Sequence, residues 1–290
     1  MVMGSNPIIH LYFFIVYFMK LLYLKPNSPG TRHKIKVDKS GLSKNVIFVK
    51  SLVFGFKKFF GRSSKTGNIT SWHKGGGNKT LYRRINYFSQ NMLSVKLFNF
   101  YNPNKNSFIS LTFDFLRKKF FFQTLLNSGV IGALTLCTTK KLIYSLSHRN
   151  LLKNLPIGSL ICELSLKNNK ISQYSRSAGT FCLLISLINN IAKIKLPSSQ
   201  IIFINVNCFA TVGTISNIFF NRQIFGKAGI FRNKNKRPTV RGIAMNPVDH
   251  PHGGRTNGGR FCVTPWGKLT KGPKTSNSNI KKLYLKKKKK

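Results

Sequence analysis

The stretch from Arg237 to Gly254, RPTVRGIAMNPVDHPHGG, sets two histidines, His250 and His252, directly after an aspartate, Asp249. A histidine beside a carboxylate is the starting material of general-base chemistry near neutral pH, the acid orienting the ring. The rest of such an apparatus is absent from the sequence: no nucleophile, metal-ligand set or second acid accompanies the pair. Pro247 and Pro251 remove backbone donors and fix φ, while Gly253 and Gly254 permit close backbone approach. The segment therefore reads as an irregular shaped loop, neither helix, strand nor core. Arg232, Lys234, Lys236, Arg237, Arg241, Arg255 and Arg260 flank it. Its polar groups, Asn246 and both histidines included, are expected to face a polyanion, with His250 ordering that partner or donating one hydrogen bond to a phosphate.

Composition supports the same partner. The 290 residues carry 49 Lys and Arg against four acids, Asp38, Asp114, Glu163 and Asp249, for a net charge of +45. So few carboxylates cannot neutralise the chain internally, and a dense polyanion such as nucleic acid is the natural counterpart. Basic residues run along the whole sequence instead of clustering beside one lipid anchor, which disfavours a membrane surface. The acid shortage also excludes paired-carboxylate hydrolases, carboxylate-bound magnesium sites and Ser-His-Asp triads. Cys137, Cys162, Cys182, Cys208 and Cys262 are scattered, with no C-x-x-C pair and no histidine at zinc spacing. Reduced, mostly buried thiols in a non-secretory compartment are expected, with no metal, no cofactor and no small-molecule substrate.

A second stretch with binding chemistry runs from Gly61 to Arg84, GRSSKTGNITSWHKGGGNKTLYRR. Gly75, Gly76 and Gly77 lie between His73-Lys74 and Lys79. Three glycines let a backbone lie flat on sugar-phosphate with its N–H groups open, and the flanking cations neutralise phosphates. Tyr82, Arg83 and Arg84 then open a strand. A flexible hairpin turn would use the same glycines. Farther on, Pro156-Ile157-Gly158-Ser159 and Ser175-Arg176-Ser177-Ala178-Gly179-Thr180 read as two turns, the second offering Arg176 to a phosphate.

Together these stretches resemble one family, the large-subunit ribosomal protein L-two. Lys25–Val37 matches K-P-x-S-P-G-x-R-H with Arg32 and His33 in place. Gly61–Arg84 follows G-R-I-T-x-R-H-x-G-G-G-H-K, and Trp266-Gly267 falls in V-T-P-W-G-x-x-T-K-G. Asn68 and Trp72 stand where that pattern has arginines, and Asn78 where it has a histidine; Trp72 offers a ring for base stacking instead. The resemblance covers 25–37, 61–113 and 154–274. Asp249 points to its bacterial or organellar branch, and the segment after Gly254 is shortened as in mitochondrial members. The resemblance implies a mainly β chain, an OB-like barrel followed by an SH3-like barrel with extended basic arms. It also implies no enzyme activity, binding to large-subunit rRNA and neighbouring ribosomal proteins, and contact with the small subunit at the intersubunit face. His250 matches the histidine that supports the peptidyl transferase region. Lys227, Lys268 and Lys271 complete the implied rRNA contacts.

The elements that must position these residues are short. Thr80–Phe88, Ser94–Tyr101, Ser107–Phe113 and Lys119–Gln123 read as strands, followed by Lys141–Leu146, Ser159–Leu166, Thr180–Ile188 and Ile201–Val206. Recurrence every ~10 residues with Asn, Pro and Gly between suggests two small barrels or sandwiches. Phe54–Phe60 fits a strand or a turn, and Phe120–Leu136 a helix or a strand. The boundaries follow: an apolar extension 1–24, a basic arm 25–60, barrels over 61–123 and 124–220, and a basic region 221–290 ending in five lysines. Without a partner that tail is expected to be disordered. The run Ile8–Leu24 is short of the ~20 apolar residues a bilayer span needs and lacks the charged start of a secretory signal. A membrane-associated nucleic-acid binder anchored by residues 8–24 is the alternative reading. Abundant Lys, Asn, Phe and Ile, residues written by A- and T-rich codons, suggest a biased genome such as an organelle's.

Overall fold

The computed structural model describes residues 21–43, 49–56, 61–87, 91–141, 145–167, 171–255 and 260–272. The apolar run up to Lys20 and the lysine tail lie outside them. The strands are β1 (Leu21–Tyr23), β2 (Ile35–Val37), β3 (Val53–Phe56), β4 (Thr80–Arg83) and β5 (Met92–Phe100). Next come β6 (Ile109–Asp114), β7 (Lys119–Thr124), β8 (Leu134–Cys137), β9 (Arg149–Leu151) and β10 (Leu160–Cys162). The last are β11 (Cys182–Ile188), β12 (Ile191–Lys195), β13 (Ile201–Asn205) and β14 (Phe209–Val212), before one short helix, α1 (Ala228–Asn233).

The chain forms two compact units, one built on Thr80–Gly226 with the arm up to Phe56, the other of Lys57–Lys79 with Lys227–Lys282. The first unit is mainly β. Its principal sheet has the order β13-β12-β11-β10-β14-β9-β8-β5-β6-β7, and the two-stranded sheets β1-β2 and β3-β4 are separate from it. The OB-like half is β5 to β8 with the β3-β4 pair, and the SH3-like half is β9 to β14. Among the described strands the pairings are antiparallel save the short β8-β9 contact at Cys137 and Arg149, where one half hands over to the other; an isolated bridge from Ile85 to Phe122 is parallel too.

Period-two patterning explains the strands. On β12, Ala192 and Ile194 are buried between exposed Ile191 and Lys195, and on β13 Ile202 and Ile204 are buried between exposed Phe203 and Asn205. These side chains meet Leu152, Ile161, Leu164 and Leu184 in one core, while Phe100, Ile109, Leu111 and Phe122 form another in the OB-like half. Asn189 (φ 51°) and Ser199 (φ 64°) take the left-handed conformation that closes the β11-β12 and β12-β13 hairpins.

Several elements differ from the sequence expectation. The strand beginning at Thr80 ends at Arg83, and the one expected over 159–166 keeps only β10, because Glu163 turns the chain at φ 48°. Phe120–Leu136 is neither one helix nor one strand: β7 ends at Thr124 and β8 begins at Leu134. Phe54–Phe56 lies in β3, with 57–60 outside the described residues. Of 141–146, residues 142–144 also lie outside, and Lys141, Ser145 and Leu146 belong to no strand. β8, β9, β12 and β14 have three to five residues each, too short to announce a period, and tertiary pairing creates them. Residues 61–79, assigned from sequence to the first barrel, pack instead with the C-terminal region.

Cys137, Cys162, Cys182 and Cys208 are buried and joined in no disulfide, and Cys262 is exposed. Burial pushes Cys182 and Cys208 up to about 11, which keeps them protonated and poor nucleophiles. A cation is also buried: Lys96, on the inward face of β5, is 2% exposed and its Nζ donates to Ser147 Oγ at 2.9 Å. Loss of hydration pulls its pKa down to about 8.

Candidate nucleic-acid interface

In the second unit the glycine segment is folded against the turn that follows α1. Gly75 N–H donates to Asn235 O (3.2 Å), Asn78 N–H to Asn233 O (3.2 Å) and Arg237 N–H to His73 O (2.9 Å), with a bridge between Lys74 and Lys236. Gly77 sits at φ 84°, and a Cβ there would run into Asn235 Oδ1 and lie 2.9 Å from Arg232 O. Only glycine allows that approach. The triplet thus serves first to bring two basic segments side by side. Lys74 and Lys79 are exposed on one, and Lys227, Arg232 and Arg237 on the other. Asp249 is the sole carboxylate side chain in Lys57–Lys79 and Lys227–Lys282. Nothing within the unit balances this charge.

The histidine loop closes on itself. Asp249 N–H (3.0 Å) and His250 N–H (3.3 Å) donate to Asn246 O, Gly253 N–H to His250 O (2.8 Å) and Gly254 N–H to Met245 O (3.0 Å). The His250 ring is buried, 9% exposed, and His252 N–H donates to its Nδ1 at 3.0 Å. An accepting Nδ1 places the ring proton on Nε2. The nitrogen an orienting carboxylate would need is therefore taken by backbone, while Asp249 itself is exposed. The His252 ring lies 4.7 Å from that of His250, centroid to centroid, and its Nε2 donates to Phe261 O at 2.8 Å. Arg260 Nη1 donates to Pro251 O at 2.7 Å. His250, expected as a contact, is the centre of the loop, and the exposed cations Arg241 and Arg255 flank it. Gly253 is buried and Gly254 half-buried, while Asn246, Trp266, Lys268 and Lys271 are exposed. Among the described residues no group of His, Cys, Asp or Glu is arranged to hold a metal.

The close fit gives a testable expectation. A Cβ at Gly242 would stand 2.6–2.8 Å from three atoms of the His250 ring, so Gly242→Ala should push the ring out of its seat. His250→Ala should remove one hydrogen bond of about 1 kcal/mol, raising amide exchange at His252 about fivefold. Hydrogen exchange resolved at His252 checks both; unchanged protection in either variant would remove His250 from the role of loop centre.

In the first unit, Arg32 and His33 are exposed on the turn before β2. Tyr82 and Arg84 are exposed as well. Arg83, expected beside them as a contact, faces inward at 6% exposure, because the strand period puts it opposite Tyr82. Its pKa is lowered by burial. Arg176 lies with its guanidinium carbon 4.7 Å from the Tyr87 ring centroid, and Lys105 Nζ is 4.3 Å from the same ring. Nothing in the local sequence marks Tyr87 or Lys105, since 87, 105 and 176 meet only in the fold. Arg149, 4% exposed, fixes this place by donating to Tyr87 O (3.0 Å) and Ser172 Oγ (2.9 Å). Behind it Glu163, 1% exposed, is pushed above the usual carboxylate range by burial, with Arg149 opposing the shift. Arg176 and Lys105 line an open cleft with Asn104, Ser175 and Ser198. Two cations held over one aromatic ring suit a phosphate or a stacked base.

Comparison with known proteins gives this geometry its setting. Residues 49–125 match the family profile "Ribosomal Proteins L2, RNA binding N-terminal domain", and residues 148–273 match "Ribosomal Proteins L2, C-terminal domain". The large ribosomal subunit protein uL2 of Cereibacter sphaeroides is 39% identical over 265 residues, 90% of this chain and 94% of that protein. The chain belongs to the uL2 family. The uL2 proteins of a Ruegeria species (38% identical; 90% of this chain, 94% of that protein) and of Hyphomonas neptunium (37%; 90% and 95%) are similar along the same length. Both the glycine segment and the histidine loop fall within the matched regions.

Proposed function

We propose that this chain is a structural constituent of a mitochondrial large ribosomal subunit, where it binds large-subunit rRNA and neighbouring ribosomal proteins. In that place it helps order the peptidyl transferase region and supports association with the small subunit. The observation that carries the rRNA part is the second unit: basic segments laid side by side by the Gly75–Gly77 segment, with one carboxylate among them. We assign the contacts to the exposed residues, Arg32, His33, Lys74, Lys79, Tyr82, Arg84, Lys227, Arg232, Arg237, Arg241, Arg255, Lys268 and Lys271, with Arg176 in the cleft. His250 and His252 act through the shape of their loop. The protein is a ribosomal component and not an enzyme.

The relatives are bacterial. What supports the mitochondrial reading is the A- and T-rich codon bias of the composition and the shortened segment after Gly254. Against the anchored alternative, Leu21–Tyr23, the end of the apolar run, is a strand paired with Ile35–Val37. Among the described residues no helix is long and apolar enough to cross a membrane. Fractionation of purified mitochondria tests the proposal. The chain should sediment with the large subunit in a high-salt gradient and leave the membranes on carbonate extraction. Recovery in the extracted membrane pellet would reverse it.

A further inference from the structure

We propose that Trp72 and Trp266 form a stacking platform for an unpaired nucleobase, a reading that rests on the RNA binding proposed above and adds a specific subsite to it. The two indoles come from distant segments of the second unit and touch, with ring centroids 5.7 Å apart and planes inclined at 49°. A pair of contacting tryptophans ordinarily hides much of its surface, yet Trp72 is 48% and Trp266 66% exposed.

Each ring is mounted on a fixed turn. Before Trp72, Thr70 and Ser71 N–H groups both donate to Gly61 O (2.7 and 3.0 Å), and after it His73 O accepts from Arg237 N–H at 2.9 Å. Trp266 rides the tip of a tight turn in which Gly267 N–H donates to Thr264 O (2.9 Å) and Thr264 N–H to Lys268 O (2.8 Å). Such mounting limits the ordering entropy that binding would otherwise cost. Inserting a base between two parallel rings takes roughly 7 Å, twice a van der Waals contact, so this tilted pair receives a base on its open face.

The surroundings choose the occupant. Lys74 follows Trp72 by two residues and Lys268 follows Trp266 by two, and both are exposed. A nucleotide offers a π-face to the indoles and a phosphate to these cations, and an unpaired base has both faces free. A complementary protein surface would need carboxylates at the same places as its apolar contact. Trp72 stands where the family pattern has an arginine, so a phosphate contact gives way here to a ring.

The chain has two tryptophans beside nine tyrosines, so emission excited at the red edge, where only indole absorbs, reports on this pair alone. The full-length protein is titrated with a single-stranded oligoadenylate of about eight nucleotides and with an abasic ribose-phosphate strand of equal length, each end-labelled for anisotropy. The base-bearing strand should quench emission strongly and bind about tenfold more tightly than the abasic strand. Trp72→Arg, which restores the family residue, and Trp266→Phe should each lose part of that tenfold preference and leave abasic affinity unreduced. Equal binding and equal emission change with both strands would overturn the platform while leaving RNA binding intact, and would assign the pair to a protein contact. If neither strand binds in a salt-sensitive way, the RNA reading itself fails and takes the platform with it.

Discussion

Binding of the full chain to a folded large-subunit rRNA fragment is expected to weaken by ~10³-fold or more as salt rises from about 50 to about 200 mM. Every phosphate contacted releases condensed counterions, and the free-energy gain from that release falls with the logarithm of salt. Six to ten contacts suffice for the stated drop on the duplex scale, and fewer are needed than the exposed cations supply. Lys74, Lys79, Arg232, Arg237, Arg241, Lys268 and Lys271 are all exposed in one unit whose only carboxylate is Asp249. Elsewhere the chain holds three further carboxylate side chains, Asp38, Asp114 and Glu163. Asp114 pairs with Arg117 at 3.9 Å, within a single turn of the chain. Affinities measured by filter binding at several salt concentrations give the slope. A nearly flat response would mean that shape and stacking, not charge, hold the complex.

Replacing Lys96 with methionine should stabilise the first unit at neutral pH by about 2 kcal/mol and remove a specific pH dependence. In the fold the ammonium is buried, and its pKa lies at about 8 against an ordinary value of 10.5. The sign follows from linkage. Between about pH 8 and 10.5 the unfolded state holds this proton and the folded state does not, so stability rises with pH across that window. Below it the full penalty is present, about 3 kcal/mol for a shift of that size. Methionine keeps the straight apolar stem and has no charge to desolvate, but leaves Ser147 Oγ without its donor, which offsets about 1 kcal/mol. Urea melts of wild type and Lys96→Met at pH 7 and pH 10 provide the test. The difference between the two proteins should shrink as pH rises; a constant or growing difference would show that burial does not penalise the Lys96 ammonium.

The class of the fold and the nature of the partner were both legible before any coordinates. Turn residues such as Asn189-Asn190 and Pro197-Ser198-Ser199 separate strands where expected, because a hairpin needs residues that tolerate left-handed φ and no packing decides that. Legibility ended where a strand was too short to show its period or where a group's direction depended on its neighbours. Arg83 and Arg84 are adjacent and alike in sequence; one is buried and the other exposed, since successive strand residues face opposite ways. His250 looked like a hand held out to a ligand. It is instead the buried centre of its loop, seated against Gly242 and accepting from His252.

The sequence by itself determined that this chain meets a polyanion, performs no carboxylate chemistry and belongs with the ribosomal L2 proteins. Those conclusions are sums over composition or readings of contiguous motifs, and folding does not alter them. The tertiary structure alone decided which cations remain free for a partner. It laid the Gly75–Gly77 segment against the turn after α1, set Lys105 and Arg176 over Tyr87, brought Trp72 to Trp266 and drew Lys96 out of water. Each of these joins residues that are far apart in the chain or sets a side chain's exposure by what packs around it. Local propensity carries no trace of such non-local contacts, because their energy exists only once the distant segments have met.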